Sequence, residues 1–222
     1  MNLAEVLARA GVWRAGGQSP SFADGIPTGI AALDERLPGG GWPRGALTEI
    51  LAAREGMGAL RLLAPALAAW SRAERWLVFV SPPYLPYPPA LAAFDIDLDR
   101  VLLVREPDRK RMLWALEQAL RSGACGAVLG WLAQADMPVL RRLQLAAAAG
   151  AALGFLFRPQ AAARTASPAA LRLLIDATPA HTTVQLLKCR GAAPTAPIPV
   201  TLPCTPTPPA RHTPLPHLQP GL

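Results

Sequence analysis

The sequence predicts an α/β domain, a doubly wound and mostly parallel sheet with an antiparallel edge at its C-terminal side. Three observations lead there. Short apolar runs alternate with helix-like segments from residue 46 to residue 157, the pattern of strands joined by crossover helices. The series opens with a strand, a glycine-containing turn and a helix, the start of a βαβ unit. Finally, 222 residues with 51% hydrophobic and 17% charged side chains suffice for one core with appendages, and are too apolar for wholesale disorder.

Residues 2–10 read as a short helix closed by Gly11, and a Gly/Ser/Pro stretch follows, so residues 1–19 are expected to be a helix and linker ahead of a domain at 20–200. Ala46-Leu47-Thr48-Glu49-Ile50-Leu51 is the first strand, Gly56-Met57-Gly58 the turn, and Ala59 to Arg72 the first long helix. Pro65 should kink or shorten that helix, because it removes a hydrogen bond. Trp76 to Val80 is a strand whose exit, Ser81-Pro82-Pro83, is forced to be extended. Val101 to Val104 is a further strand, and Asp108 to Leu120 an amphipathic helix stopped by Gly123. Ala127 to Leu132 reads as a buried strand, Asp136 caps a helix that ends at Gly150, and Leu153 to Phe157 is again a strand. Ala169 to Asp176 and Thr182 to Lys188, with a turn near Pro179, form the antiparallel edge. Ten prolines follow Gly191, so residues 201–222 are expected to be a Pro-rich, disordered tail.

The formal charge is +7, and since Lys110 and Lys188 are the only lysines among 22 basic residues, 20 are arginines. That balance suits nucleic acid or an acidic protein surface as a partner, and equally follows from a coding bias toward arginine. Cys125, Cys189 and Cys204 are too widely spaced for a disulfide framework or a zinc site. No signal peptide is recognisable at the N-terminus, and the apolar span from Leu143 to Phe157 is too short to cross a membrane. A cytoplasmic location is expected.

A strand, a glycine turn and a helix N-terminus together make the geometry that binds phosphate. A working P-loop adds a lysine for the β/γ-phosphates and a hydroxyl for Mg²⁺. Here the stretch is Gly56-Met57-Gly58-Ala59-Leu60, with Ala59 and Leu60 where the lysine and the hydroxyl are needed. The strand that should end in a metal-holding Asp reads Ala127-Val128-Leu129-Gly130-Trp131, and Ser81-Pro82-Pro83-Tyr84 stands where a water-activating Glu would follow its strand. The P-loop is therefore degenerate, with no catalytic residue, no cofactor-binding side chain and no metal site expected.

Pro27-Thr28-Gly29, Leu33-Asp34, Leu37 to Gly45 and Leu47 to Ile50 resemble the entry into the RecA core. Pro82-Pro83-Tyr84 with Pro86-Tyr87, Leu113-Trp114 through Trp131, Arg141 to Ala146 and Ser167 to Arg172 are similar to the ImuA family. The resemblance covers roughly residues 12–190. It implies a RecA-like fold and a non-catalytic role in SOS-induced, error-prone translesion DNA synthesis, a pathway of DNA repair and mutagenesis. The implied partners are ImuB, through it a DnaE-type polymerase, and RecA, with DNA contact indirect or weak.

Four basic residues are candidates for a partner interface. Arg158 and Arg164 open and occupy a short loop, as phosphate contacts or as solvated charges. Lys188 and Arg190 lie at a strand exit, the region where RecA-like proteins present basic residues to a neighbour, or are simply two charges beside a tail. The six tryptophans sit in apolar runs and read as core, and His181, His212 and His217 form no cluster. Two other classes of function compete. One is an SOS cell-division inhibitor similar to SulA, which would bind the tubulin-like division protein. The other, an active RecA-type ATPase, is disfavoured by the missing Lys, Ser/Thr and Asp.

Overall fold

The computed structural model of the protein describes residues 25–54, 58–178 and 181–203. The helix and linker expected at 1–19, the turn at Pro179 and the tail beyond Pro203 lie outside the described residues. Eight strands form one sheet: β1 Ala46–Ala52, β2 Trp76–Val80, β3 Val101–Val104, β4 Cys125–Trp131, β5 Leu153–Pro159, β6 Leu171–Ala177, β7 Thr182–Cys189 and β8 Ile198–Val200. Their order is β3-β2-β4-β5-β1-β6-β7-β8. All neighbours from β3 across to β6 are parallel, whereas β6–β7 and β7–β8 are antiparallel. This is the expected mostly parallel sheet with an antiparallel edge.

Among the described residues five α-helices accompany it: α1 Ala31–Asp34, α2 Ala59–Arg72, α3 Pro88–Ala92, α4 Arg109–Arg121 and α5 Met137–Gly150. Because side chains alternate along a strand, each central strand feeds two cores. Ile50, Phe79, Leu129 and Phe155 face Leu62, Leu63 and Leu67 of α2. Their neighbours Leu47, Val78, Val128 and Leu156 face Leu116 and Leu120 of α4 and Leu140 and Leu143 of α5. Each such buried side chain contributes roughly 1.5–3 kcal/mol, and covering both faces is what makes β4 read as an unbroken apolar run.

Carboxylates start the two helices of the second face. Asp108 accepts the backbone N–H of Arg111 at 2.9 Å and Asp136 that of Val139 at 3.0 Å, satisfying donors that a helix start leaves open. Helix α2 has no such cap and begins instead at Gly58, left-handed at φ 77°. It continues through Pro65 to Arg72, so the proline does not shorten it. A Cβ on Gly29, itself at φ 78°, would come within 2.5 Å of Pro65 Cβ, so the proline ring packs where only glycine fits.

Besides the four-residue α1 and two 3-10 turns, Leu98–Arg100 and Gln160–Arg164, two further elements were not foreseen. Helix α3 starts on Pro88 and Pro89, which suit a first helical turn. Strand β8 contains Pro199, and it survives because it is the outermost strand, where a missing N–H is tolerated.

Gly150 is the closest approach between α4 and α5: a Cβ there would lie 2.0 Å from the Leu120 carbonyl oxygen. Alanine is the better helix former by about 1 kcal/mol, but a backbone clash of this kind outweighs it. Gly150→Ala is expected to destabilise the fold by roughly 1–3 kcal/mol, read as a lowered urea midpoint with unchanged slope.

Candidate functional site

The turn between β1 and α2 is where a phosphate would be gripped, and there the chain meets itself. Gly56 and Met57 lie outside the described residues; Gly58 is half-buried in the left-handed region, and Ala59 and Leu60 pack against the first core. Leu202, from the segment after β8, is buried against Gly58, so that a Cβ on that glycine would be 2.6 Å from Leu202 Cδ1. Arg61, in the first turn of α2, donates from Nε to the Pro203 carbonyl at 2.9 Å. The single cation of that turn is thus bonded to backbone of the C-terminal segment. Residues 201–203, placed by sequence in the tail, form part of this packing.

The metal end of such a site is equally filled. At the end of β4, Trp131 stacks on Phe157 with centroids 4.5 Å apart, and on Phe79 at 6.3 Å. An aromatic stack excludes the water and charge that a Mg²⁺ site requires. Among the described residues no group of His, Cys, Asp or Glu could hold a metal ion.

The second assembly is a buried charge cluster. Glu49, in the middle of β1 and fully buried, has one carboxylate oxygen bonded by Arg158 Nη1 of β5 at 2.7 Å and the other by Arg172 Nε of β6 at 2.5 Å. Three further guanidinium nitrogens turn to loop carbonyls, Arg158 Nη2 to Ala135 at 3.3 Å, Arg172 Nη1 to Thr165 at 2.9 Å and Arg172 Nη2 to Ala162 at 2.7 Å, while the buried Arg158 Nε has no hydrogen-bond partner. Lys188, opposite Arg172 on β7, donates to the Ser167 carbonyl at 2.6 Å. Burial lowers the Lys188 ammonium from its ordinary value, and the nearby Arg172 and Arg190 add to that, while Glu49 opposes them.

This geometry corrects the expectation for Arg158, which is an internal strand residue rather than the start of a loop. Lys188 is half-buried and bonded inward, whereas Arg164, in a 3-10 turn after β5, and Arg190 are exposed. Glu49 and Arg172 were missed as a pair. The available signal was a charged residue inside each largely apolar strand, Glu49 in Ala-Leu-Thr-Glu-Ile-Leu-Ala, Arg158 in Leu-Gly-Phe-Leu-Phe-Arg-Pro and Arg172 near the start of Leu-Arg-Leu-Leu-Ile-Asp-Ala.

The fold and site define a mostly parallel α/β protein in which the phosphate grip of the first turn is filled by apolar packing. A family model described as cell division inhibitor SulA matches residues 45–154, just under half of the chain. Among curated proteins, the cell division inhibitor SulA of Edwardsiella piscicida is 34% identical over 99 residues, 45% of this chain and 59% of that protein. That of Photorhabdus laumondii is 36% identical over 112 residues, 50% of this chain and 63% of that protein. The chain therefore spans about three fifths of the length of these relatives. A crystal structure of SulA from Pseudomonas aeruginosa is similar at 29% identity, covering 50% of this chain and 97% of that one, with a TM-score of 0.43.

These matches overturn the resemblance to ImuA. With it go the assignment to translesion synthesis and mutagenesis, and ImuB, a DnaE-type polymerase and RecA as expected partners. The physical reason is visible in the motifs that suggested them. Gly39 and Gly40 are turn residues at positive φ, Gly41 lies against the Ile26 backbone, and Ala169 and Arg172 are buried. Such positions report what a sheet of this topology needs, and they do not discriminate one function from another. Among the described residues, no helix is long and apolar enough to cross a membrane.

Glu49→Gln keeps the size of the side chain and removes its charge, leaving two buried guanidinium groups without a counter-ion. It is expected to destabilise the protein by about 3–5 kcal/mol in urea unfolding, with most of this recovered when Arg158 and Arg172 are also replaced by Met and Leu.

Two neighbours on β7 should tilt alkaline stability in opposite directions. The lowered Lys188 sheds its proton earlier in the folded chain than at its ordinary 10.5, so stability gains as pH rises through that window. Burial pushes the Cys189 thiol up to about 11 from 9.0, so the folded chain holds a proton that the unfolded chain releases, and stability is lost as pH rises from 9.0. Denaturation across this range should therefore show a flatter loss for Cys189→Ala and a steeper one for Lys188→Met.

Proposed function

We propose that this protein is a non-catalytic, RecA-like pseudo-ATPase that stops cell division during the SOS response by binding the tubulin-like division protein. The observation that carries the reading is the similarity of residues 45–154, which run from just before β1 into β5, to the cell division inhibitor SulA family. The strand order, with an antiparallel seventh strand beyond a parallel series, supports a RecA-like ancestry. The packing of Leu202 against Gly58 and the bond from Arg61 to the Pro203 carbonyl support a core that no longer takes nucleotide. An inhibitor of this kind works through its surface. Of the basic residues that sequence suggested for an interface, the exposed Arg164 and Arg190 are those a partner reaches, with Lys188 and Arg158 engaged inward. Residues 20–200 form the RecA-like domain in this reading.

Purified protein in slight excess is expected to block assembly of the division protein's polymer in a light-scattering assay, and its overproduction to give filamentous cells. Calorimetry with MgATP is expected to register no tight uptake. Normal polymer assembly in the presence of excess protein would overturn the reading.

A further inference from the structure

The chain has two tyrosines, and both stand in one segment, Ser81-Pro82-Pro83-Tyr84-Leu85-Pro86-Tyr87-Pro88-Pro89. Tyr84, Leu85 and Tyr87 are 72%, 66% and 65% exposed. Three large apolar side chains within four residues stand in water, a local concentration rather than scattered singles. The segment that presents them is stiff. Five of its nine residues are proline, each with a fixed φ.

Its root is held in an unusual conformation. Ser81 is left-handed at φ 47°, which costs a non-glycine residue about 1–2 kcal/mol. Three hydrogen bonds hold it there: its N–H donates to the Val104 carbonyl at 2.8 Å, its hydroxyl to the Glu106 carbonyl at 3.0 Å, and the Glu106 N–H to its hydroxyl oxygen at 3.3 Å. These bonds aim the Pro-rich segment and clamp it beside the β3–α4 connection.

The connection and the first turn of α4 together carry four cations. Arg105, Arg109, Lys110 and Arg111 are all exposed. The two acids among them serve the backbone, Glu106 accepting the Asp108 N–H at 3.0 Å and Asp108 capping α4. One turn further along α4, Trp114 is 64% exposed at helical spacing from Lys110 and Arg111. Aromatic residues ringed by arginine are the composition of binding hot spots, and a rigid presenting loop loses little entropy on docking.

We propose that the Tyr84–Tyr87 tip and its basic border are the docking surface for an acidic protein partner with an apolar pocket. On the reading above, on which this rests, that partner is the division protein. The tyrosines supply buried contact area, and the four cations steer the encounter and raise its rate at low salt.

The test uses the full chain and the division protein in the polymer assay, with Tyr84→Ala/Tyr87→Ala and Lys110→Glu/Arg111→Glu as variants. All four sites are exposed, and new acids near a helix start are favourable, so thermal midpoints should match the parent. The tyrosine variant is expected to need at least roughly tenfold more protein for half-inhibition. The charge variant should weaken inhibition at low salt and lose its salt dependence. If the parent inhibits and both variants inhibit equally well, the tip is overturned and the inhibitor reading stands. If the parent does not inhibit, both fall. Sedimentation of the parent but not the tyrosine variant with phosphatidylserine vesicles would assign the tip to a membrane surface and overturn a protein partner.

Discussion

Glu49 is fully enclosed in the central strand β1, and each of its oxygens is taken by a guanidinium from the strand on either side. A lone carboxylate in that position would cost several kcal/mol in lost hydration, and a pair of arginines there would be worse. Together they hold β5, β1 and β6 in one register, because a slip by one residue would turn each charge to the opposite core. The cluster still carries a surplus of positive charge. Carbonyls of Ala135, Ala162 and Thr165 meet it, and these belong to the connections after β4 and β5. The price of burying the cluster is therefore met by pinning two loops.

That pinning has a functional consequence. In a sheet of this kind the connections after the parallel strands are where ligands are usually met. Here the connection after β5 is folded into a short 3-10 turn and bonded to Arg172, while the turn after β1 is packed by Leu202 and the end of β4 by an aromatic stack. At Gly58, at the end of β4 and after β5, the chain's own side chains and backbone take up the space beside the strand ends. A net charge of +7 thus overstates the charge open to partners, since Arg158 and Arg172 lie inside and Lys188 and Arg61 bond to backbone.

Much of the fold was legible because apolar period and helix punctuation coincide in this sequence. Strands β2 and β3 and helix α2 have the predicted limits, and Asp136 caps its helix as its position suggested, while Asp108, read as the first residue of α4, is that helix's cap. Elements rich in proline were not legible: β8 depends on an edge position, and α3 on two prolines falling in its first turn, which are facts of topology rather than of local sequence. The absence of Lys and Ser/Thr from the glycine turn was readable residue by residue. The ion cluster was not, because its members are separated by 109 and 123 positions and only the strand order brings them together. Family was the least legible property, since the motifs weighed for it are turns and buried positions that a common topology imposes.

The division of labour within the chain follows from these placements. The segment from residue 45 to 154, similar to the SulA family, contains Glu49, the Pro-rich tip and all of α4, whereas Arg158, Arg172 and Lys188 lie beyond it. Tyr84, Leu85, Tyr87 and Trp114 and the cations from Arg105 to Arg111 therefore sit in the shared segment, and the residues that neutralise its buried acid are supplied by the strands that follow. A carboxylate in β1 is tolerable only if β5 and β6 bring their arginines to it. The central strand of the shared segment is thus tied electrostatically to residues outside that segment.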